Sequence, residues 1–231
     1  MMITAPDWLA LWTTLKLASI TTVILLAIGL PLAWWLARTS WRYKYVLEAS
    51  LALPLVLPPT VLGFYLLLAL GPQGPIGSLS IAMGGAPLAF SFTGLVIGSV
   101  IYSLPFVVQP LQSSFSLLDR RTLEAAATLG ASPLDRFLNV VLPMTKPGLI
   151  TASVLGFAHT LGEFGVVLMI GGNLPGETRV ASIAIYEHVE SLEYAQAHAL
   201  SALLLLFSLL LLIVVFRYNR GRPKPVATVV A

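Results

Sequence analysis

The sequence predicts an all-α membrane protein with about five transmembrane helices, and three observations predict it. The chain is 57% hydrophobic and only 10% charged, with a mean hydropathy of +0.89, where soluble domains carry about a quarter charged residues. Apolar runs at 8–37, 46–70, 91–111, 147–170 and 195–216 each approach or exceed the ~20 residues that cross about 30 Å of hydrocarbon. Every Lys and Arg except Lys16 and Arg179 falls in the connections after the first and third runs or in the C-terminal tail.

The first run contains Lys16, is too long for the apolar part of a signal peptide, and ends in Trp34-Trp35 and Arg38 without a small-residue cleavage site. It is expected to remain as an anchor. The second contains Leu53-Pro54-Leu55-Val56-Leu57-Pro58-Pro59-Thr60. Each interior proline removes a backbone hydrogen bond and clashes with the preceding turn, so this helix is expected to kink or break. Broken backbone at membrane depth is tolerated where it is buried in protein or lines a water-filled cavity. Pro54, Pro58, Pro59 and Thr60 are therefore candidates for a pathway or gate, with a packing kink as the plainer alternative.

Gly94 and Gly98 in the third run, and Gly148, Ala152 and Gly156 in the fourth, recur at four-residue spacing. Small residues on one helical face allow close helix contact, expected here within the subunit rather than across a dimer. The fourth run also holds His159 and Glu163, four apart on one face. An ionisable pair inside the membrane is a candidate functional site; a hydrogen-bonded pair fixing a helix or gate is the favoured form of it.

Asn173-Leu174-Pro175-Gly176-Glu177-Thr178-Arg179 has the chemistry of a surface turn. From Ala181 to Tyr194, Ile183, Tyr186 and Val189 interleave with Glu187, Glu190 and Glu193, which suggests a short helix at the membrane interface. His188 among these carboxylates reads as a solvated face rather than a metal site, and no metal is expected.

The basic residues set the orientation. Arg38, Arg42 and Lys44 follow the first run, Arg120, Arg121, Arg136 and Lys146 the third, and Arg217, Arg220, Arg222 and Lys224 the fifth. The positive-inside rule places these segments in the cytoplasm, with the N-terminus out and the C-terminus in. It also explains the basic tail without nucleic acid. The absence of cysteine excludes disulfides and thiolate metal sites. The chain has no Gly-x-x-x-x-Gly-Lys-Ser/Thr phosphate loop, no His-Glu-x-x-His zinc motif and no serine nucleophile elbow, so neither nucleotide hydrolysis nor intramembrane catalysis is expected of it.

The longest stretch outside the membrane is the loop 115–146. Asp119 or Thr122 can cap a helix through Leu123, Glu124, Ala125, Ala126 and Leu129, with Glu124 in its first turn and Gly130 as its left-handed stop. The three alanines at 125–127 give high helix propensity and a thin profile suited to a groove in another protein. Ser132-Pro133 restarts a helix through Val141, and Leu142-Pro143 and Pro147 close the loop. A helical hairpin lying on the membrane surface is the alternative.

Glu124-Ala125-Ala126, then Gly130, then Leu142-Pro143, resembles the cytoplasmic loop signature of permease subunits of type I ATP-binding-cassette importers. The resemblance implies that Leu123, Glu124, Ala125, Ala126, Leu129, Gly130, Ser132, Pro133, Leu142 and Pro143 belong to a coupling helix and its flanks, docked on an ATP-binding subunit. Val140-Val141-Leu142-Pro143 is a conservative form of the family's ending. Leu53 to Pro59, Leu161-Gly162-Glu163-Phe164-Gly165 and Pro175-Gly176-Glu177-Thr178-Arg179 are similar to the molybdate branch, and sulfate permeases share part of the pattern.

The resemblance implies the type I importer permease fold as one transmembrane domain across 1–231, in the plasma (inner) membrane of a bacterium or archaeon. It implies a tetrahedral oxyanion as cargo, most closely molybdate, with sulfate or thiosulfate as the alternative. Its partners are a second copy of the chain, two ATP-binding subunits, an extracytoplasmic oxyanion-binding protein and membrane lipid. No cofactor is expected on this chain; ATP and Mg belong to the partner subunits. Glu163 repels an anionic cargo, which favours an internal role for the His159–Glu163 pair. In a different class, a proton-coupled secondary transporter would use that pair as a relay.

Overall fold

The computed structural model describes residues 3–220 of the chain, and among these there is no strand. Arg222 and Lys224 of the basic tail lie outside the described residues. Helix α1 (Ala5–Arg38) begins with Asp7 accepting from the Thr4 amide at 2.9 Å and its hydroxyl at 2.7 Å, which satisfies donors at the helix start. The second apolar run breaks as its prolines require. Helix α2 (Lys44–Val56) stops, Leu57 and Pro58 are extended, and α3 (Pro59–Leu70) restarts with proline in its first turn. After a turn at 71–74, α4 (Pro75–Ala82) continues the segment.

Helix α5 (Phe92–Ser116) is capped by Ser91, whose hydroxyl accepts from the Gly94 amide at 3.1 Å. It runs in the same direction as α1. Leu17 and Leu95 share one buried cluster, while Leu25, Leu36, Val107, Leu111 and Phe115 share another. The loop then forms α6 (Arg120–Thr128), α7 (Pro133–Arg136), a π-helical stretch at Phe137–Val141 and α8 (Leu142–Met144). The expected single helix from Pro133 to Val141 is thus α-helical for four residues and π-helical beyond.

The chain bends by 77° into α9 (Lys146–Leu161). The fourth apolar run is not one continuous helix: α9 stops at Leu161, 162–164 are irregular, and α10 (Gly165–Gly171) resumes. Hydropathy across 147–170 does not reveal this break, because the groups that satisfy it, Ser99, Ser103 and Ser182, lie far away in sequence. The helix after the 173–179 turn is shorter than expected, α11 (Ala181–Glu190), and Tyr194 already opens α12 (Tyr194–Arg220).

Among the described residues, four stretches, 5–38, 59–82, 92–116 and 194–217, are long and apolar enough to cross a membrane, and the bent pair ending in α9 makes up to five. Leu205, Leu206, Leu210 and Val214 of α12 are apolar yet exposed, the pattern of a helix facing lipid. The small-residue faces pack within the subunit. A Cβ on Gly98 would lie 2.4 Å from Ile170 Cδ1, one on Gly156 2.6 Å from Val107 Cγ2, and one on Gly148 2.3 Å from Ser114 Oγ. These contacts run α9–α10 antiparallel to α5.

One end of the bundle therefore gathers Arg38, Lys44, Arg120, Arg121, Arg136 and Lys146. Arg38 reaches the Leu118 carbonyl at 3.5 Å, and Lys44 pairs at 3.5 Å with Glu48, which accepts from Gln112 at 2.5 Å. The first turn of α1 and α11 sit at the other end.

Candidate functional site

Two features stand out from the apolar bundle. The first is the loop at the basic end. Asp119, not Thr122, caps α6, accepting from the Arg121 amide at 3.0 Å. The earlier start places Glu124 in the second turn rather than the first, so the helix dipole gives it little. Gly130 ends α6 at φ +86°, with its amide donating to Ala127 O and the Ala131 amide to Ala126 O. That pair of bonds is a Schellman motif and needs a residue in left-handed conformation. Ser132 caps α7 by accepting from the Asp135 amide at 3.2 Å, with Pro133 at the first helical position.

No residue of α6 is buried. Leu123 packs toward the cluster around Phe115 and Val141, while Leu129 is 88% exposed and Glu124 and Ala125 face outward. Pro133 and Pro143 are also exposed, and Ala126 and Leu142 half-buried. The loop is a preformed helical knob held on one side by the core and open on the other.

The second feature is a cavity of about 580 Å³ where the two helix breaks meet, lined by Pro59, Thr60, Tyr102, His159, Glu163 and Phe164 among others. Gly165 at the start of α10 comes so close to the start of α3 that a Cβ would lie 2.9 Å from Pro59 Cβ. The structure thus brings together Pro59, Thr60, His159 and Glu163, as one site. Pro54 is buried in α2, and Pro58 forms the break; neither lines the cavity. Lys16 lies on the exposed side of α1 with its ammonium 4.3 Å from the centre of the Phe92 ring, apart from the cavity.

His159 and Glu163 are joined through α5 rather than directly. Glu163 Oε2 accepts from Ser99 Oγ at 2.5 Å and Oε1 from Ser103 Oγ at 2.7 Å. His159 Nδ1 lies 2.8 Å from Ser103 Oγ but 3.7 Å from Glu163 Oε1. The imidazole stacks on Phe106 at 3.8 Å and packs on Tyr102 at 4.7 Å between centroids. Ser182 of α11 donates to the backbone carbonyl of Glu163, which lies in the break between α9 and α10. No motif in the sequence alone marks Ser99, Ser103, Tyr102 and Phe106 as part of this site. The available signal was two serines four apart in an apolar run, matching the spacing of His159 and Glu163.

At the opposite end, Arg179 pairs with Glu187 at 3.1 Å and donates to Asn173 Oδ1 at 2.6 Å, which ties the 173–179 turn to α11. His188 corrects the solvated-face expectation: it is mostly buried between two carboxylates, Asp7 of α1 and Glu193. Tertiary packing of α11 on the start of α1 supplies the partner that a helical-wheel reading lacks.

The chain matches, over residues 29–221, the family described as binding-protein-dependent transport system inner membrane component. It is 58% identical over 214 residues to the molybdenum transport system permease protein ModB of Azotobacter vinelandii, covering 93% of this chain and 95% of that one. The Escherichia coli (strain K12) ModB is 38% identical over 191 residues, 83% of each chain. The sulfate transport system permease protein CysT of Synechococcus elongatus is 38% identical over 187 residues, 81% of this chain and 67% of that one. Among solved structures, a bacterial ABC transporter that imports the acidic polysaccharide alginate matches with a TM-score of 0.72 at 17% identity, covering 94% of this chain and 79% of that one. The MetNI methionine ABC transporter matches at 0.67 and 16% identity, over 93% and 95%. These two carry the fold alone. With the family match spanning most of its length and relatives this similar across both chains, the chain belongs to the binding-protein-dependent transport system inner membrane components, the permease subunits of ABC importers.

Proposed function

We propose that this chain is the membrane-spanning subunit of an ATP-driven importer for molybdate, a single transmembrane domain acting as a homodimer with two ATP-binding subunits and an extracytoplasmic oxyanion-binding protein. The observation that carries the cargo is the 58% identity to a molybdenum permease across 93% of this chain and 95% of that relative. Sulfate is the second reading, favoured by the 38% identity to a sulfate permease.

The basic end of the bundle lies in the cytoplasm, the N-terminus outside and the C-terminus inside, in keeping with the positive-inside rule. There α6 is the element gripped by the ATPase: it is exposed, capped at both ends and backed by Leu123 on the core. ATP hydrolysis belongs to the partners, since this sequence has no phosphate loop. Nucleotide-driven closure of the two ATPases draws the paired α6 helices together, and α5 and α9 carry the motion to the cavity. Hydrolysis returns the path to the inward-facing state, a rigid-body transition about interfaces. The cavity at Thr60, Tyr102 and His159 holds cargo weakly, as a path must release what it admits.

The test is uptake of labelled molybdate into proteoliposomes holding this chain, its ATPase and its binding protein. Uptake that requires ATP and both partners, and that excess sulfate leaves largely intact, is the expected result. Molybdate uptake without the ATPase favours the secondary transporter, and preferential sulfate uptake the sulfate reading.

A further inference from the structure

We propose that His159 is a contact for the oxyanion in the cavity, and that Glu163 sets its hydrogen-bonding character through Ser103. This rests on the oxyanion reading above and names the residue that meets the cargo.

Ser103 is a junction. Its hydroxyl lies 2.7 Å from Glu163 Oε1, 2.8 Å from His159 Nδ1 and 3.0 Å from Thr160 Oγ1, yet it has one proton to give. Ser99, Ser103, Thr160 and Glu163 are all buried, so the proton arrangement is decided among these groups. With Glu163 ionised, both carboxylate oxygens accept, from Ser99 and from Ser103. Ser103 then only accepts from the imidazole, which places the hydrogen of a neutral His159 on Nδ1. Nε2 is left as a lone pair at the cavity, where it repels an oxyanion, and the carboxylate charge behind it repels one further.

One proton reverses the chain. Taken up at Nε2 from cavity water, it lets the Nδ1 proton pass to Ser103 Oγ and the Ser103 proton pass to Glu163 Oε1. Glu163 now donates to Ser103, Ser103 donates to Nδ1, and Nε2 carries the hydrogen. The carboxylate charge disappears and a donor replaces an acceptor at the cavity wall, so both changes favour an oxyanion. Stacking on Phe106 holds the ring in place throughout.

The surroundings leave this relay the decisive one. From α3, α5, α9 and α10 the cavity receives no Lys or Arg, and Tyr102 is the other titratable side chain of its lining. α11 offers Ser182 on the Glu163 carbonyl and Tyr186 against Phe164. Lys16 of α1 lies over Phe92, and His198 of α12 is exposed.

The experiment uses the assembled importer in nanodiscs with 15N-labelled histidine, the His159 signals identified by difference from His159→Phe. Neutral His159 is expected as the Nδ1–H tautomer at alkaline pH and as Nε2–H once the pH falls, with molybdate shifting the Nε2 signal. Ser103→Ala is expected to abolish the pH dependence of the tautomer. His159→Phe, which keeps the stack on Phe106, is expected to lower molybdate uptake about fivefold, the effect of one lost hydrogen bond. A tautomer constant across pH, switching that survives Ser103→Ala, or wild-type uptake by His159→Phe each overturns the inference. Failure of the wild-type complex to import any oxyanion overturns the function instead, so the two failures are separable.

Discussion

His188 ties α11 to the first turn of α1 at one end of the bundle: its Nε2 lies 2.8 Å from Asp7 Oδ1, across 181 positions of sequence, while Nδ1 lies 2.7 Å from Glu193 Oε2. Both ring nitrogens face carboxylates, so only the imidazolium donates to both. Burial alone lowers the His188 pKa, but hydrogen bonds and negative charge from Asp7 and Glu193 outweigh it and hold the group above its ordinary 6.5. A raised folded-state pKa stabilises fully below the ordinary value and is lost as pH rises through the raised one. The melting-temperature advantage of wild type over His188→Gln in detergent is therefore expected to be largest below pH 6.5 and to shrink at alkaline pH. A difference constant across that range contradicts the clamp.

Gly156 is where α9 meets α5, with Val107 Cγ2 only 2.6 Å from the position of an added Cβ. Gly156→Ala is expected to destabilise the bundle by about 1–3 kcal/mol through overpacking. Val107→Ala on that background removes the clashing atom and is expected to recover part of the loss, a coupling measurable by a double-mutant cycle of detergent unfolding. Additive losses would show that the two helices separate elsewhere.

A side chain at position 130 is opposed by backbone conformation and not by space, since nothing lies within 4 Å of an added Cβ while φ is +86°. Gly130→Val is expected to cost about 1–2 kcal/mol at the end of α6 and to lower ATPase co-purification and uptake. Gly130→Asn, which tolerates the left-handed region, is expected to retain more of both. Membrane insertion should be unchanged in each, because Gly130 is exposed and α6 holds no fully buried residue. Equal co-purification for the valine and asparagine variants would refute the proposed role of this turn.

Thr178 is fully buried in the 173–179 turn, its hydroxyl donating to Gly171 O at 2.6 Å and accepting from the Leu174 amide at 3.2 Å. Thr178→Val keeps the shape and leaves both backbone groups short of a partner, with an expected loss of about 1–3 kcal/mol. Thermal unfolding checks it, and Thr178→Ser, which keeps the hydroxyl, is expected to lose less.

Much of the candidate site could be read along the chain because it depends on local chemistry. Pro58 and Pro59 in succession interrupt the second run, and the structure breaks there, while Pro54 is accommodated inside α2. Gly130 and Ser132 announce a stop and a start, and both occur within a residue of the reading. The break at 162–164 was not readable in the same way. It is held open by the Ser182 hydroxyl on the Glu163 carbonyl and by two serines of α5 on its side chain, partners that lie far along the chain.

What the sequence by itself determined is the material and its local punctuation: apolar runs long enough for lipid, basic connections between them, and caps and prolines that start and stop helices. These follow from hydration and from backbone bonding within a few residues, which order alone specifies. Tertiary structure decided what no local rule contains: that the breaks at Pro59 and Glu163 share one cavity, that Ser103 stands between His159 and Glu163, and that His188 finds Asp7. The first two exist because helices distant in sequence bury their small-residue faces together, and once α5 and α9 approach that closely, polar groups on those faces must satisfy one another.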